Sequence, residues 1–410
     1  MERARLFPIL PAPLRRAAFR RLWLGMTTSY AGDRLQALAQ GWLIAALTGS
    51  ALGVGLITVL GSLPLLLLPV GGVIAEQVDR RRLLLAGQLI GAATTLVIAA
   101  LVLAHRVAIW HIYAWAFVNS LIVLVSRPAY KVVLTEAVPS EEVRPAVALN
   151  SITETASLVL VNGAGSLVLA LLGLPLAFIV NAASYLVAAG SLWSVSGAGI
   201  QAVTGCRSLR LSHIPADLRD GLVYLAKQPA LFGPLLLTFA MIVVTGPVMG
   251  LLAAIVHAQG GSIVDLGMLG AAVSAGSLGG AIFAGTRGAG ANEIRSYTLL
   301  GLVAAVAVAL FALVPSGIVA FVALATIGFI AFAEAVWNTS RIRQLAAPSY
   351  QARLQAITSM AFTLGFTVGT LWAGIAVDRL GLVALLGGAA ALAACSLAVV
   401  ARQPLREHSP

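Results

Sequence analysis

Apolar residues run through this chain in long, nearly unbroken stretches separated by short polar segments. The stretch 51–75 carries no charge at all, then ends at GGVIAEQVDRRR (71–82), with two acids and three consecutive arginines. A helix rises about 1.5 Å per residue, so crossing a hydrocarbon core about 30 Å thick takes roughly 20 mostly apolar residues. Twelve stretches meet that length: 22–44, 51–75, 83–104, 107–129, 143–170, 174–195, 231–256, 263–285, 296–315, 317–338, 354–376 and 381–401. Buried helices of a soluble protein would be shorter and would alternate with strands; these stretches do neither. The pattern predicts an all-α integral membrane protein with twelve transmembrane helices.

Composition agrees. With 60% apolar residues, 10% charged and a mean hydropathy of +0.97 over 410 residues, the apolar surface exceeds what one water-soluble core can bury. The net charge of +11 would point to nucleic acid in a soluble protein, but here the basic residues lie between the apolar runs. If the N-terminus is cytoplasmic, 22 of the 26 Lys and Arg fall on the cytoplasmic side. Arg106 and Arg379 face outward and Arg34 and Arg127 lie within spans. The positive-inside rule therefore predicts a multi-pass protein of the inner (cytoplasmic) membrane with both termini cytoplasmic. The arginine-rich start, Arg3 to Arg21, precedes a long apolar run without a small-residue cleavage site, and reads as a retained first helix. Cys206 and Cys395 have no close Cys or His at metal-ligand spacing, so neither a disulfide framework, a metal site nor a cofactor is expected.

Residues 196–230 form the one long polar interruption and divide the spans six and six. A shift of 209 lays Pro139, Ser140, Arg144 and Gly165 over Pro348, Ser349, Arg353 and Gly374. A shift of 208 lays Gly71, Gly72 and Ile74 over Gly279, Gly280 and Ile282. The reading is a duplicated unit: a six-helix bundle over 1–195, a cytoplasmic connector over 196–230 and a second bundle over 231–410. Transporters are built from repeats of this kind around a midplane site.

On that architecture, GGVIAEQVDRRR resembles the loop between spans 2 and 3 of the major facilitator superfamily. The resemblance makes Gly72 the close-packing glycine, Glu76 the acidic position, and Asp79, Arg80 and Arg81 part of a cytoplasmic gate with Arg127; Gln77 departs from the family's arginine. FRRLWLGMTTSYAGDRL, LTGSALGVGLI, SRPAYKVVLTEAVP, ALNSITE, FIVNAASYL, LRDGLVYLAKQP and WNTSRIRQLAAP resemble the enterobactin-exporter-like group, which includes macrolide and drug exporters. The span 5 sequence LVNGAGSLV places Val161 and Asn162 where that group's antiporters carry Gly-Pro, so the proline kink is not expected. Gly163 and Gly165 still allow close helix approach.

Ionisable groups inside the hydrocarbon cost at least about 2.5–3.5 kcal/mol near a helix centre, so each is expected to face a cavity or a partner. Asp33 and Arg34 fall mid-span 1, Arg127 near the end of span 4, Glu154 in span 5 and Glu334 in span 10. Asp33 lies 12 residues beyond Arg21, about 18 Å deep, and is the leading coupling or substrate-cation candidate. Pairing of Arg34 with Asp33 or Glu154 is the structural alternative, and for Arg127 and Glu334 it is snorkelling to the cytoplasmic surface or pairing as a structural gate contact. Glu154 shares a helical face with Ser151 and Asn162. Tyr30, Trp42, Trp337 and Asn338 are further candidate substrate contacts, whereas His105, His111 and His213 look like no ligand.

The function expected is a secondary active exporter, an antiporter drawing on the proton gradient, that moves an amphipathic drug or siderophore-like molecule. A lipid or lysophospholipid flippase of the same fold and a non-transporting scaffold are the alternatives. No His, Ser, Asp or metal cluster points to an enzyme, and no GxxxxGK[ST] loop to an ATP-driven pump. Expected partners are the small substrate, protons and membrane lipid, with no nucleic acid and a monomeric state.

Overall fold

A computed structural model gives the fold of residues 11–195, 214–287 and 293–401. Every regular element among these described residues is helical, and all twelve expected spans are present. Span 1 is α1 (Ala17–Thr48). Span 2 comes in pieces: α2 (Ala51–Ser62), a 3-10 turn (Leu63–Leu67) and α3 (Leu68–Gln77). Spans 3 and 4 are α4 (Arg80–Leu103) and α5 (Ile109–Glu136). Span 5 is α6 (Val143–Leu160), a π turn (Val161–Gly165) and α7 (Ser166–Leu172), and span 6 is α8 (Leu174–Ser194). After the short α9 (Ile214–Ala226), span 7 is α10 (Pro229–Gly250) with α11 (Leu252–Ala258). Spans 8 to 12 are α12 (Ile263–Thr286), α13 (Glu293–Leu313), α14 (Gly317–Leu345), α15 (Pro348–Leu380) and α16 (Ala384–Ala401). Nine stretches among the described residues are long and apolar enough to cross a membrane, one of them, Pro348–Ala398, covering spans 11 and 12. Charged α1 and broken span 2 complete the twelve.

The chain forms two compact units, Met1–Leu43 with Leu63–Leu211, and Ile44–Ser62 with Ser212–Pro410. In the first unit α4 packs on α8 and α3 on α5, around Phe19, Leu22, Leu84, Tyr130 and Leu192. Gly71 is the point of closest approach: a Cβ there would collide with the Leu124 carbonyl. Gly72, the glycine expected to make that approach, has open space where its Cβ would be. One residue is about 100° around a helix, so only one of two adjacent glycines can face the neighbour.

In the second unit α12 packs on α14 through the same device. Gly276 and Gly280 abut the carbonyls of Ala325 and Phe329, and Gly328 abuts that of Val273. Spaced four apart, Gly276 and Gly280 let two backbones meet where lipid offers no hydrophobic drive for association. Gly71 and Gly280, which make these approaches, are 209 residues apart, one more than the 208 at which the Gly-Gly pairs align. The α2 helix lies along α15 in this unit, and α10 packs on α15 and α13 on α16.

The run of arginines at 80–82 begins α4, where positive charge opposes the helix dipole. Asp79 compensates as N-cap, its carboxylate accepting from the amides of Arg81 and Arg82 at 3.0 and 3.1 Å. Arg80 pairs with Glu136 of α5 at 2.8 Å, and Arg81 donates to the Leu192 and Trp193 carbonyls at the negative end of α8, at 3.2 and 3.0 Å. Two of the three charges therefore knit helix ends together.

The region expected as a polar connector holds α9, while its residues 196–213, with Cys206 and His213, lie outside the described residues. Gly221 of α9 meets Ile357 of α15, Tyr224 stacks on Tyr350 at 4.1 Å, and Asp220 approaches Arg353 at 3.8 Å.

Candidate functional site

The carboxylates predicted inside the spans sit in separate polar clusters. Asp33 is half-buried on α1 and faces α8. The Tyr185 hydroxyl donates to its Oδ1 at 2.5 Å and Asn181 Nδ2 at 3.1 Å. Asn181 also donates to Gln36 at 2.7 Å, and Tyr185 lies 3.3 Å from Asn119 Oδ1. Gly32 allows this: a Cβ at that position would strike Ser184 and Asn181. Among the described residues no ion pair joins Asp33 to Arg34, whose side chain is exposed.

Glu154, half-buried on α6, accepts from Asn150 Nδ2, one turn back, at 2.9 Å. Asn150 in turn lies 3.4 Å from the Tyr130 hydroxyl. Tyr30 lies near Glu154 and meets Tyr130 edge to face at 6.2 Å. Arg127 is exposed and forms no ion pair with Glu154 among the described residues. Asn162 lies in the π turn, so span 5 is interrupted at Val161–Gly165 by a change of helix type, with no proline there.

In the second unit Glu334 is 2% exposed, so it does not snorkel. Its carboxylate is bonded to the Thr238 hydroxyl of α10. Asn338, one turn on, donates to Thr238 at 2.7 Å and accepts from the Tyr297 hydroxyl at 3.2 Å. Trp337 is buried, donates to the Arg287 carbonyl at 3.0 Å and packs on Tyr297 and Phe283. Trp42 is half-buried. Of the expected gate residues, Asp79, Arg80 and Arg81 are engaged at helix ends as described above, and the side chain of Glu76 lies outside the described residues.

Sequence reasoning passed over the partners Asn181, Tyr185, Asn150, Tyr130, Thr238 and Tyr297. Asn181 and Tyr185 carried a signal, since a spacing of four puts both on one helix face. Thr238 carried none.

Residues 10–409 match the transmembrane secretion effector family. The chain belongs to that family. No curated protein sequence matches it. Its fold resembles that of the nucleoside transporter NupG, with a TM-score of 0.70 at 13% identity over 94% of this chain and 98% of that one. It also resembles a bacterial homologue of the human lysosomal transporter Spinster in an inward-facing, unoccupied conformation (TM-score 0.67, 14% identity, 94% and 95% covered). A bacterial homologue of the iron transporter ferroportin in an inward-facing state is similar at a TM-score of 0.66 and 14% identity, over 94% and 99% of the two chains. The protein is thus a multi-pass membrane transporter of the major facilitator type. In this transporter the polar clusters lie on spans 1, 4, 5 and 6 of the first unit and on spans 7, 9 and 10 of the second.

Proposed function

We propose that the protein exports an amphipathic small molecule, drug-like or siderophore-like, by alternating access coupled to the proton gradient of the inner membrane. The observation that carries this reading is the partnering of the three intramembrane acids. Asp33, Glu154 and Glu334 are each held by hydroxyl or amide groups, and no ion pair engages any of them among the described residues. A carboxylate with neutral partners can take a proton or the cationic head of a substrate without first breaking a salt bridge. Charged groups at that depth are costly, so those that are found there commonly mark such a pathway.

Asp33 and Glu154 fit the substrate-facing role, being half-buried, with Tyr30 as the aromatic neighbour and Arg34 and Arg127 as exposed cations on the same unit. Trp337 and Asn338 are packed into the Glu334 cluster and serve it as positioning groups. The expected bundles 1–195 and 231–410 rock about the connector, and Glu76, Arg80 and Arg81 close the cytoplasmic side.

The test is transport in proteoliposomes with and without an imposed pH gradient, using compounds first selected by a thermal-shift screen of siderophores, antibiotics and lysolipids. Gradient-dependent movement of a drug or siderophore that Asp33→Asn uncouples supports the reading. Headgroup-dependent movement of lipid with no proton requirement replaces it with a flippase. A reconstituted protein that moves nothing in the screen argues for a scaffold.

A further inference from the structure

Span 2 changes its packing partner part-way along. Its first piece, α2, lies against α15: Gly374 abuts Ala51 and Leu52, Gly55 meets the Thr370 carbonyl, and Ser62 shares a 2.7 Å hydrogen bond with Thr367. Asp378, Gly374, Thr370 and Thr367 follow at spacings of three and four, so they form one stripe along α15. Beyond the 3-10 turn at Leu63–Leu67, α3 packs on α5 instead, through Gly71. Pro64 has no amide to donate, which helps interrupt the helix there.

At the far end of the seam one carboxylate caps the first two amides of α2. Asp378 Oδ1 accepts from the Ala51 amide at 2.6 Å, and Oδ2 accepts from the Leu52 amide at 3.1 Å and the Ser50 hydroxyl at 2.5 Å. Ser50 Oγ accepts in turn from the Gly53 amide at 3.0 Å. The first amides of a helix have no partner within it, and the dipole there favours negative charge. No ion pair engages Asp378 among the described residues, so α2 is its partner.

We propose that Asp378 is a latch at the outer end of span 2, with the turn at Leu63–Leu67 as the hinge. The cap holds α2 on α15; its release frees α2 to swing away from span 11 when the transporter opens outward. This rests on the alternating-access reading above and on the positive-inside orientation, which puts residues 50 and 378 at the outer membrane boundary. That location makes the latch reversible. The freed amides and carboxylate there meet water, which replaces the lost hydrogen bonds, so the net cost of opening stays small. The same rupture at the midplane would leave them unsatisfied.

The experiment reads seam accessibility and needs no substrate. Thr370, fully buried in the seam, is replaced by cysteine after Cys206→Ser and Cys395→Ser. Intact cells are then treated with a membrane-impermeant maleimide. Asp378→Ala is expected to raise the labelling rate about tenfold, the population change that loss of a helix cap produces, and Asp378→Asn less. Ser50→Ala serves as the second, milder variant if Asp378→Ala fails to fold, with an expected rise of a few-fold. A control cysteine at buried Ser274 of α12 is expected to stay unlabelled. Unchanged labelling at position 370 in folded variants overturns the latch, as does an equal rise at position 274, which would mean general loosening. A latch effect in a protein that moves no ligand leaves the latch standing and removes the transport reading; intact transport with no labelling change does the reverse.

Discussion

The hydroxyl of Tyr185 on α8 donates to the carboxylate of Asp33 on α1 at 2.5 Å, so the acid of span 1 is held by a neighbouring helix and not by the arginine beside it in sequence. Hydrogen bonds to charged groups contribute about 1.5–3 kcal/mol. Tyr185→Phe is therefore expected to lower thermal stability by an amount in that range. In an Asp33→Asn background the same change is expected to cost less, and a double-mutant cycle on unfolding midpoints measures the difference. Additive effects would show that the bond does not couple the two residues.

Adjacent glycines give a sharp contrast. Gly71→Ala pushes a methyl group into the Leu124 carbonyl and is expected to cost about 1–3 kcal/mol, the usual cost of overpacking. Gly72→Ala meets open space and is expected to be near neutral. Thermal unfolding in detergent compares them, and equal effects would contradict the helix rotation described.

Arg80 and Arg82 are expected to separate in the same assay. Arg80, paired with Glu136 and 16% exposed, is the structural one: Arg80→Ala is expected to cost about 1–3 kcal/mol, discounted from a fully buried pair. Arg82 is 87% exposed and 3.6 Å from Asp79, so Arg82→Ala is expected to fall within about 0.5 kcal/mol of the parent. High salt is expected to leave most of the Arg80 difference in place, because that pair is largely shielded from solvent ions.

In the second unit, Glu334→Gln preserves shape and can donate to Thr238 through its amide. It is expected to keep the fold while abolishing any pH dependence of transport that Glu334 carries. Thr238→Val strands both Glu334 and Asn338, leaving buried polar groups unpaired at about 1–3 kcal/mol each. Unfolding midpoints and pH-gradient-driven uptake read the two outcomes separately. Retained pH dependence in Glu334→Gln would leave proton coupling to Asp33 or Glu154.

Glu76 is tested by conformation. If it closes the cytoplasmic side against the N-terminal end of span 11, Glu76→Gln is expected to shift spin-label distances between the bundles toward the inward-facing population. Unchanged distances would remove Glu76 from the gate.

The twelve spans were legible in the chain alone, because an apolar run of about 20 residues without charge has one low-energy destination, a lipid-crossing helix. So were the acids Asp33, Glu154 and Glu334, which stand out as polar breaks in apolar runs. What they touch was not legible. Tyr185 lies 152 residues from Asp33 and Thr238 lies 96 from Glu334, and pairing at such separation depends on how each helix is rotated and how deep it sits. The same holds for Gly71 over Gly72, for the π turn standing where a proline kink is absent, and for α2 lying against α15 while α3 lies against α5. Hydropathy has a period of a whole span and carries no information about rotation around the helix axis; only side-chain packing between helices sets that angle.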